Sequence, residues 1–230
     1  LGSSISLGNG TQAILRPGYE PYWPDQQVIG SEPESSPMNT NENARGQGIF
    51  RVWTFVDRQG PGDLPLTAAA RTKLDEFDEL VDHPLWNCDP VGMPVAMDTG
   101  LPIEFVDHGS QIQLRIETND SVRTIHLESN AASPASEPSA MGHSVGRWEG
   151  NSLIVTTSNS NYPYFDDDGT PKSVAMRFTE SFTVNESDGT LTWEATMSDP
   201  EYLSRPVVIT ASWKSVPGET IEPWNCAVSG

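Results

Sequence analysis

Basic residues are scarce in this chain: 13 Lys and Arg stand against 32 Asp and Glu in 230 residues, a formal net charge of −19. Nucleic acids and anionic membranes are held by Lys and Arg that neutralise phosphate, so this balance argues against both. A solvated acidic surface, common among secreted or salt-adapted proteins, is the simpler meaning. Long apolar runs are missing as well, and no stretch reaches the ~20 apolar residues a membrane span requires. Cysteine is confined to Cys88 and Cys226, which have no metal-like spacing and are expected to form one disulfide in an oxidising compartment. There is no P-loop, no dinucleotide fingerprint and no Gly-x-Ser-x-Gly elbow. His83, His108, His126 and His143 lie far apart in sequence, and their spacing does not support a zinc or copper site built from His108, His143 and Met141. The chain begins at Leu1 rather than Met, as a mature protein freed of its signal peptide is expected to do.

What the sequence does contain is strand after strand, arranged around the stretch from Gly142 to Thr157. Within it a short strand reaches Glu149-Gly150-Asn151, where Gly150 can take the positive φ of a hairpin turn, and Leu153-Ile154-Val155 starts a second strand. Strands are predicted at about 49–55, 102–107, 111–117, 122–128, 144–149, 152–158, 173–184, 190–198 and 206–215. The last eight are joined by polar turns and predict a mainly β fold, an antiparallel up-and-down, lipocalin-like barrel of about eight strands, with a two-sheet sandwich as the rival. One helix is predicted near 67–81, capped by Thr67, with Ala70, Leu74, Phe77 and Val81 on one stripe.

Residues 1–47 are rich in Gly, Ser, Pro, Asn and Glu and cannot build a core of their own. They are expected to form an extended arm, with 48–230 as the barrel domain. Its isolated apolar residues Ile5, Leu7, Ile14 and Leu15 are the expected assembly contacts, and Ser4-Ile5-Ser6-Leu7 alternates as an added strand does. Packing on the same chain and packing on a neighbouring subunit both remain open.

The run GHSVGRWEGNSLIV, with Val122-Arg123-Thr124-Ile125-His126-Leu127, the segment from Cys88 to Pro94, and Pro223-Trp224-Asn225-Cys226, resembles a large family of secreted bacterial proteins of unknown function. The resemblance covers roughly residues 48–226 and implies secretion, to the periplasm or beyond, without implying an activity. The family commonly has Asp after the turn glycine and often Glu at the position of Thr156. This chain has Asn151 and Thr156 there, which counts against a catalytic carboxylate on that strand.

The two-residue period of a strand assigns faces. Arg123 shares a face with Ile125 and Leu127, and Glu180 shares one with Phe178 and Phe182, so two opposite charges stand on apolar faces. If they meet inside the barrel they form a buried ion pair, which is either architecture or the orienting core of a site. Trp148, Trp193 and Trp213 are expected to line or fill that interior. Candidates for acid–base work are Arg123, Glu180, Glu194, His126 and His143. Asp166, Asp167 and Asp168 before Gly169 offer oxygen ligands for calcium, without the length of an EF-hand loop. No other cofactor is expected. Two functions are carried forward. The first is a secreted, non-catalytic subunit that self-associates through its arm, in a filament or other extracellular homo-oligomer. The second is a small-molecule binder or acid–base enzyme, a lyase, isomerase or hydrolase, with its site in the barrel interior.

Overall fold

A computed structural model of the chain describes residues 46–82, 88, 90–127 and 137–225, together with strands at 4–6 and 12–14. The chain divides into two units, residues 1–38 and 39–230. In the first, β1 (Ser4–Ser6) pairs antiparallel with β2 (Gln12–Ile14), with Ile5 opposite Ala13 and Ile14 opposite Ser4. Ser4–Ser6 is therefore one side of a local two-stranded sheet. Leu7 and Leu15 fall outside the described residues.

The second unit is a closed barrel of nine strands. They are β3 (Val52–Gln59), β4 (Ile103–Asp107), β5 (Gln111–Ile116), β6 (Ser121–Leu127), β7 (His143–Glu149), β8 (Ser152–Ser158), β9 (Arg177–Asn185), β10 (Thr190–Ser198) and β11 (Val207–Lys214). The ring runs in chain order and closes between β11 and β3. Two expectations are corrected here. There are nine strands, not about eight, because the strand that begins at Val52 joins the ring. One join, β6 to β7, is parallel. A closed ring with an odd number of members cannot alternate direction throughout, so at least one parallel pair is required. It falls where the chain has length to return: residues 128–142 lie between β6 and β7, whereas a two-residue turn can only reverse direction.

The register separates the two barrel ends. At one end sit the tight turns after β4, β7 and β9; at the other, the connections 60–102, 159–176 and 199–206 leave and re-enter. These longer segments close that second end with Val91, Met93, Val95, Met97, Tyr162 and Phe165, all buried. Inside, alternate strand residues fill the barrel: Ile112, Leu114, Ile116, Phe178, Phe182, Leu191, Trp193 and Trp213 are almost fully covered. Each such side chain contributes about 1.5–3 kcal/mol by leaving water.

Gly150, in the β7–β8 turn, has φ +62 while Asn151 does not have a positive φ, the pattern of a turn that needs glycine at its first central position. The predicted single helix is two: α1 (Ala68–Asp75), where Thr67 Oγ1 accepts from Ala70 N at 3.2 Å, and α2 (Glu79–Asp82). Asp78 causes the break, since its Oδ1 accepts from Leu80 N at 3.1 Å and so starts a new turn. Of the expected stripe, Ala70 is buried, Leu74 and Phe77 are half-buried, and Val81 is exposed. Trp148 is corrected too: it lies near the end of β7, opposite Leu153 at the tight-turn end of the barrel, exposed and packed edge-on against Phe50 with ring centres 6.3 Å apart.

Candidate functional site

Arg123 and Glu180 meet inside the barrel. Their side chains are 1% and 0% exposed, the deepest charges among the described residues. Arg123 Nη1 donates to Glu180 Oε1 at 2.9 Å, and Nη2 donates to Oε2. Nε donates to Ser144 Oγ at 3.0 Å, and Nη2 also reaches Thr157 Oγ1 at 2.7 Å. Trp193 Nε1 donates to Glu180 Oε1 at 3.1 Å, Thr157 Oγ1 donates to Oε2 at 3.1 Å, and the Ser144 and Thr157 hydroxyls lie 2.9 Å apart.

These partners come from β6, β7, β8, β9 and β10. Each projects inward because the strand period places it in phase with apolar neighbours: Arg123 with Ile125, Thr157 with Val155 and Leu153, Glu180 with Phe178 and Phe182. A buried ion pair holds only when its remaining lone pairs and protons are also satisfied. Here both Glu180 oxygens accept twice, so the four acceptor positions of a carboxylate are taken. No lone pair is left for a substrate proton.

Two cavities among the described residues lie elsewhere. One, about 590 Å³, is at the tight-turn end, lined by Ile49, Phe50, Trp148, Asn151, Val184 and Glu186 among others. The second, about 630 Å³, lies by the long connections, lined by Arg58, Asp63, Leu66, Arg71, Phe165 and Asp166 among others. Neither is lined by Arg123 or Glu180. Beside the second, Arg58 Nη1 meets Asp98 Oδ2 at 2.8 Å. Burial pushes the Asp98 carboxyl up to about 6 against the pull of Arg58, with Asp167 and Asp166 adding to the rise.

His126 and His143 are brought together on the outer face of the β6–β7 seam, ring centres 5.3 Å apart and planes 28° apart. Burial, and then the neighbouring His143, lower the His126 pKa. Ser144, next to His143, points the opposite way into the polar centre, so the two make no dyad. Glu194 is exposed on the outer face of β10, apart from the other candidates. Asp166 Oδ1 accepts from the amides of Asp168 and Thr170, which makes the acidic run a self-bonded turn. Among the described residues no three His, Cys, Asp or Glu are grouped to hold a metal ion. Cys226 lies outside the described residues, so its pairing with Cys88 does too.

Sequence reasoning missed Lys172 and Asp199. Lys172 Nζ, buried, donates to the carbonyls of Ser160 at 2.7 Å and Ser173 at 3.3 Å. Burial lowers its pKa to about 8, and Asp199 partly offsets this. Asp199, also buried, accepts from Ser173 N and Oγ and from the amides of Glu201 and Tyr202. Asp199-Pro200 is legible as a turn, but its tie to Ser173, 26 positions earlier, has no local signal.

The residues that carried the family resemblance have definite physical roles. In Gly142–Gly150, Ser144 enters the polar centre, His143 meets His126, Gly146 presses on Ile125, and Gly150 makes the turn. Val91 and Met93 plug the barrel, and Gly92 has no room for a Cβ, which would stand 2.5 Å from Ala140 O. Comparison of the chain with family models, with curated proteins and with solved structures returned no match.

Proposed function

We propose that this chain is a secreted bacterial β-barrel subunit that acts by contact and not by catalysis, its N-terminal arm packing on a neighbouring copy in an extracellular or periplasmic homo-oligomer. The closed hydrogen-bond shell of Arg123 and Glu180 carries the reading. An acid–base residue needs a free lone pair or proton within reach of a substrate, and Glu180 has neither, which supports a reading that looks to the outside of the barrel. The arm adds a second support: β1 and β2 form a sheet of two strands, both of them edges, and an edge is a template for a further strand. The reading calls on no cofactor.

A disulfide between Cys88 and Cys226 is part of the proposal. The tail approaches the right place: Glu222 N donates to Glu117 Oε2 and Trp224 N to Asp120 Oδ1, both at 3.1 Å, while Asn119 Nδ2 reaches the Cys88 carbonyl at 3.5 Å. The same short turn thus holds the tail and the backbone of Cys88. Closing so long a loop stabilises the fold by up to roughly 5 kcal/mol.

The second reading, a small-molecule binder, moves from the barrel interior to its rim. The 630 Å³ cavity by Arg58 and Arg71 has the size of a ligand site.

The test is removal of residues 1–40 and measurement of mass in solution by light scattering. The full chain is expected to exceed one subunit, and the truncated chain to be a monomer with its barrel circular dichroism intact. An unchanged mass, or a full chain that is already a monomer, refutes the assembly reading.

A further inference from the structure

We propose that the imidazoles of His126 and His143 form a two-ligand site for a divalent transition-metal ion of the zinc or nickel class, on the outer face of the parallel seam. This goes beyond the assembly reading and does not rest on it. Neither ring has a hydrogen-bond partner among the described residues, although both are half-buried. By contrast, the His108 ring is engaged with Gln113 Oε1 at 3.1 Å. This pair therefore leaves ring nitrogens uncommitted side by side among the described residues.

The spacing fits a shared ion. With a metal–nitrogen bond of about 2.0 Å, each ring centre lies about 3 Å from the metal, and two rings at a tetrahedral angle have centres about 5 Å apart. The observed separation is 5.3 Å. The ring centres already stand at the separation a shared ion needs, and the broad terminal torsion of histidine lets each ring turn a nitrogen toward it. The strands fix the positions: His126 stands opposite Val145 in the parallel register, and His143 lies two residues earlier on the same outward face. Imidazole prefers zinc, nickel or copper over calcium or magnesium, whose ligands are oxygen. Water completes the coordination, so the ion is exchangeable and holds β6 to β7 from outside, next to the inner tie between Arg123 and Ser144.

The test uses the full chain, stripped with chelator and titrated with zinc chloride at pH 7.5, followed by calorimetry and by nitrogen-15 spectra of the histidine side chains. One zinc per chain is expected, with two of the four imidazoles shifting. His126→Gln and His143→Gln are each expected to weaken binding about tenfold or more, and His108→Gln to leave it unchanged. Shifts confined to His83 or His108, no imidazole shift up to about 1 mM zinc, or unchanged affinity in both seam variants overturns the proposal. Should either variant fail to fold, the identity of the shifted imidazoles in the unaltered chain decides alone.

Discussion

Glu180 sits where a charge is hardest to keep: its side chain is fully buried and every acceptor position is filled. Truncating one member of such a pair leaves the other charged and unpaired, so Glu180→Ala is expected to lower unfolding free energy by about 3–5 kcal/mol, read as a fall in the urea midpoint. Arg123→Met combined with Glu180→Leu removes both charges, and the Ser144 and Thr157 hydroxyls keep each other at 2.9 Å. The double variant should therefore recover part of the loss. A single-variant cost below about 1 kcal/mol would mean the pair contributes little more than a surface pair. Lys172 makes a second, pH-dependent prediction. Burial pushes its pKa in the folded chain down to about 8 from an ordinary value of 10.5, so between these values the unfolded chain holds more protons than the folded one. Stability then rises with pH across this window, and the penalty of the buried ammonium is fully present below about 8. Lys172→Met should flatten that rise in a series of melts from pH 7.5 to 10.5. An equal slope in both proteins would show that Lys172 is not its source.

The β6–β7 seam is the element on which the barrel's topology turns. Gly146 lies opposite Leu127 in the parallel register, and a Cβ there would stand 2.7 Å from Ile125 Cγ2 and 3.3 Å from Leu153 Cδ1. Both neighbours are core residues with no exposed surface to move into. Gly146→Ala is therefore expected to cost about 1–3 kcal/mol by overpacking, whereas Gly189→Ala, where a Cβ meets nothing but φ is +69, should cost less, about 1 kcal/mol from backbone strain alone. Thermal melts of the two variants separate these causes, and a Gly146→Ala melt equal to that of the parent chain would mean the seam has slack. The seam also marks where sequence patterning stopped being informative. Strands at 152–158 and 190–198 were legible to the residue, the first from the Leu153-Ile154-Val155 run that follows a turn glycine, the second because apolar and polar side chains alternate there. Arg123 and Glu180 were legible as charges in phase with Ile125, Phe178 and Phe182. Ser144 and Thr157 were not, since small hydroxyl residues suit either face of a strand. Nor was the parallel join, which depends on the parity of the ring, a property no local stretch contains. The helix break at Asp78 was hidden because Leu74, Phe77 and Val81 keep helical spacing across it, while the Asp78 cap acts through a side chain.

For the molecule as a whole, charge is the dominant long-range force. Of 13 basic residues, at least five are already committed to ion pairs: Arg51 with Glu186, Arg58 with Asp98, Arg115 with Glu104, Arg123 with Glu180 and Arg147 with Glu149. Lys172 is buried against carbonyls. Few cations are left to balance the remaining carboxylates, so the folded chain, at net −19, concentrates mutual repulsion that the expanded chain relieves. Screening acts on this repulsion more than on the ion pairs. At about 10 mM salt the screening length, roughly 30 Å, exceeds the reach of a barrel interior, and at about 150 mM it is roughly 8 Å, short enough to separate surface carboxylates while sparing contacts of 2.6–3.3 Å. The thermal midpoint should therefore rise as sodium chloride goes from about 10 to about 200 mM and then level off, and the Arg123–Glu180 centre, out of reach of ions, should not change this trend. On the proposed assembly, the same screening should favour association of copies that carry charge of one sign, so oligomer mass and melting midpoint should climb together over this range. A midpoint that falls with salt would mean that the surface ion pairs outweigh the repulsion. A mass that falls would mean that the contact between copies is itself an ion-pair contact and not the apolar strand addition expected of the arm.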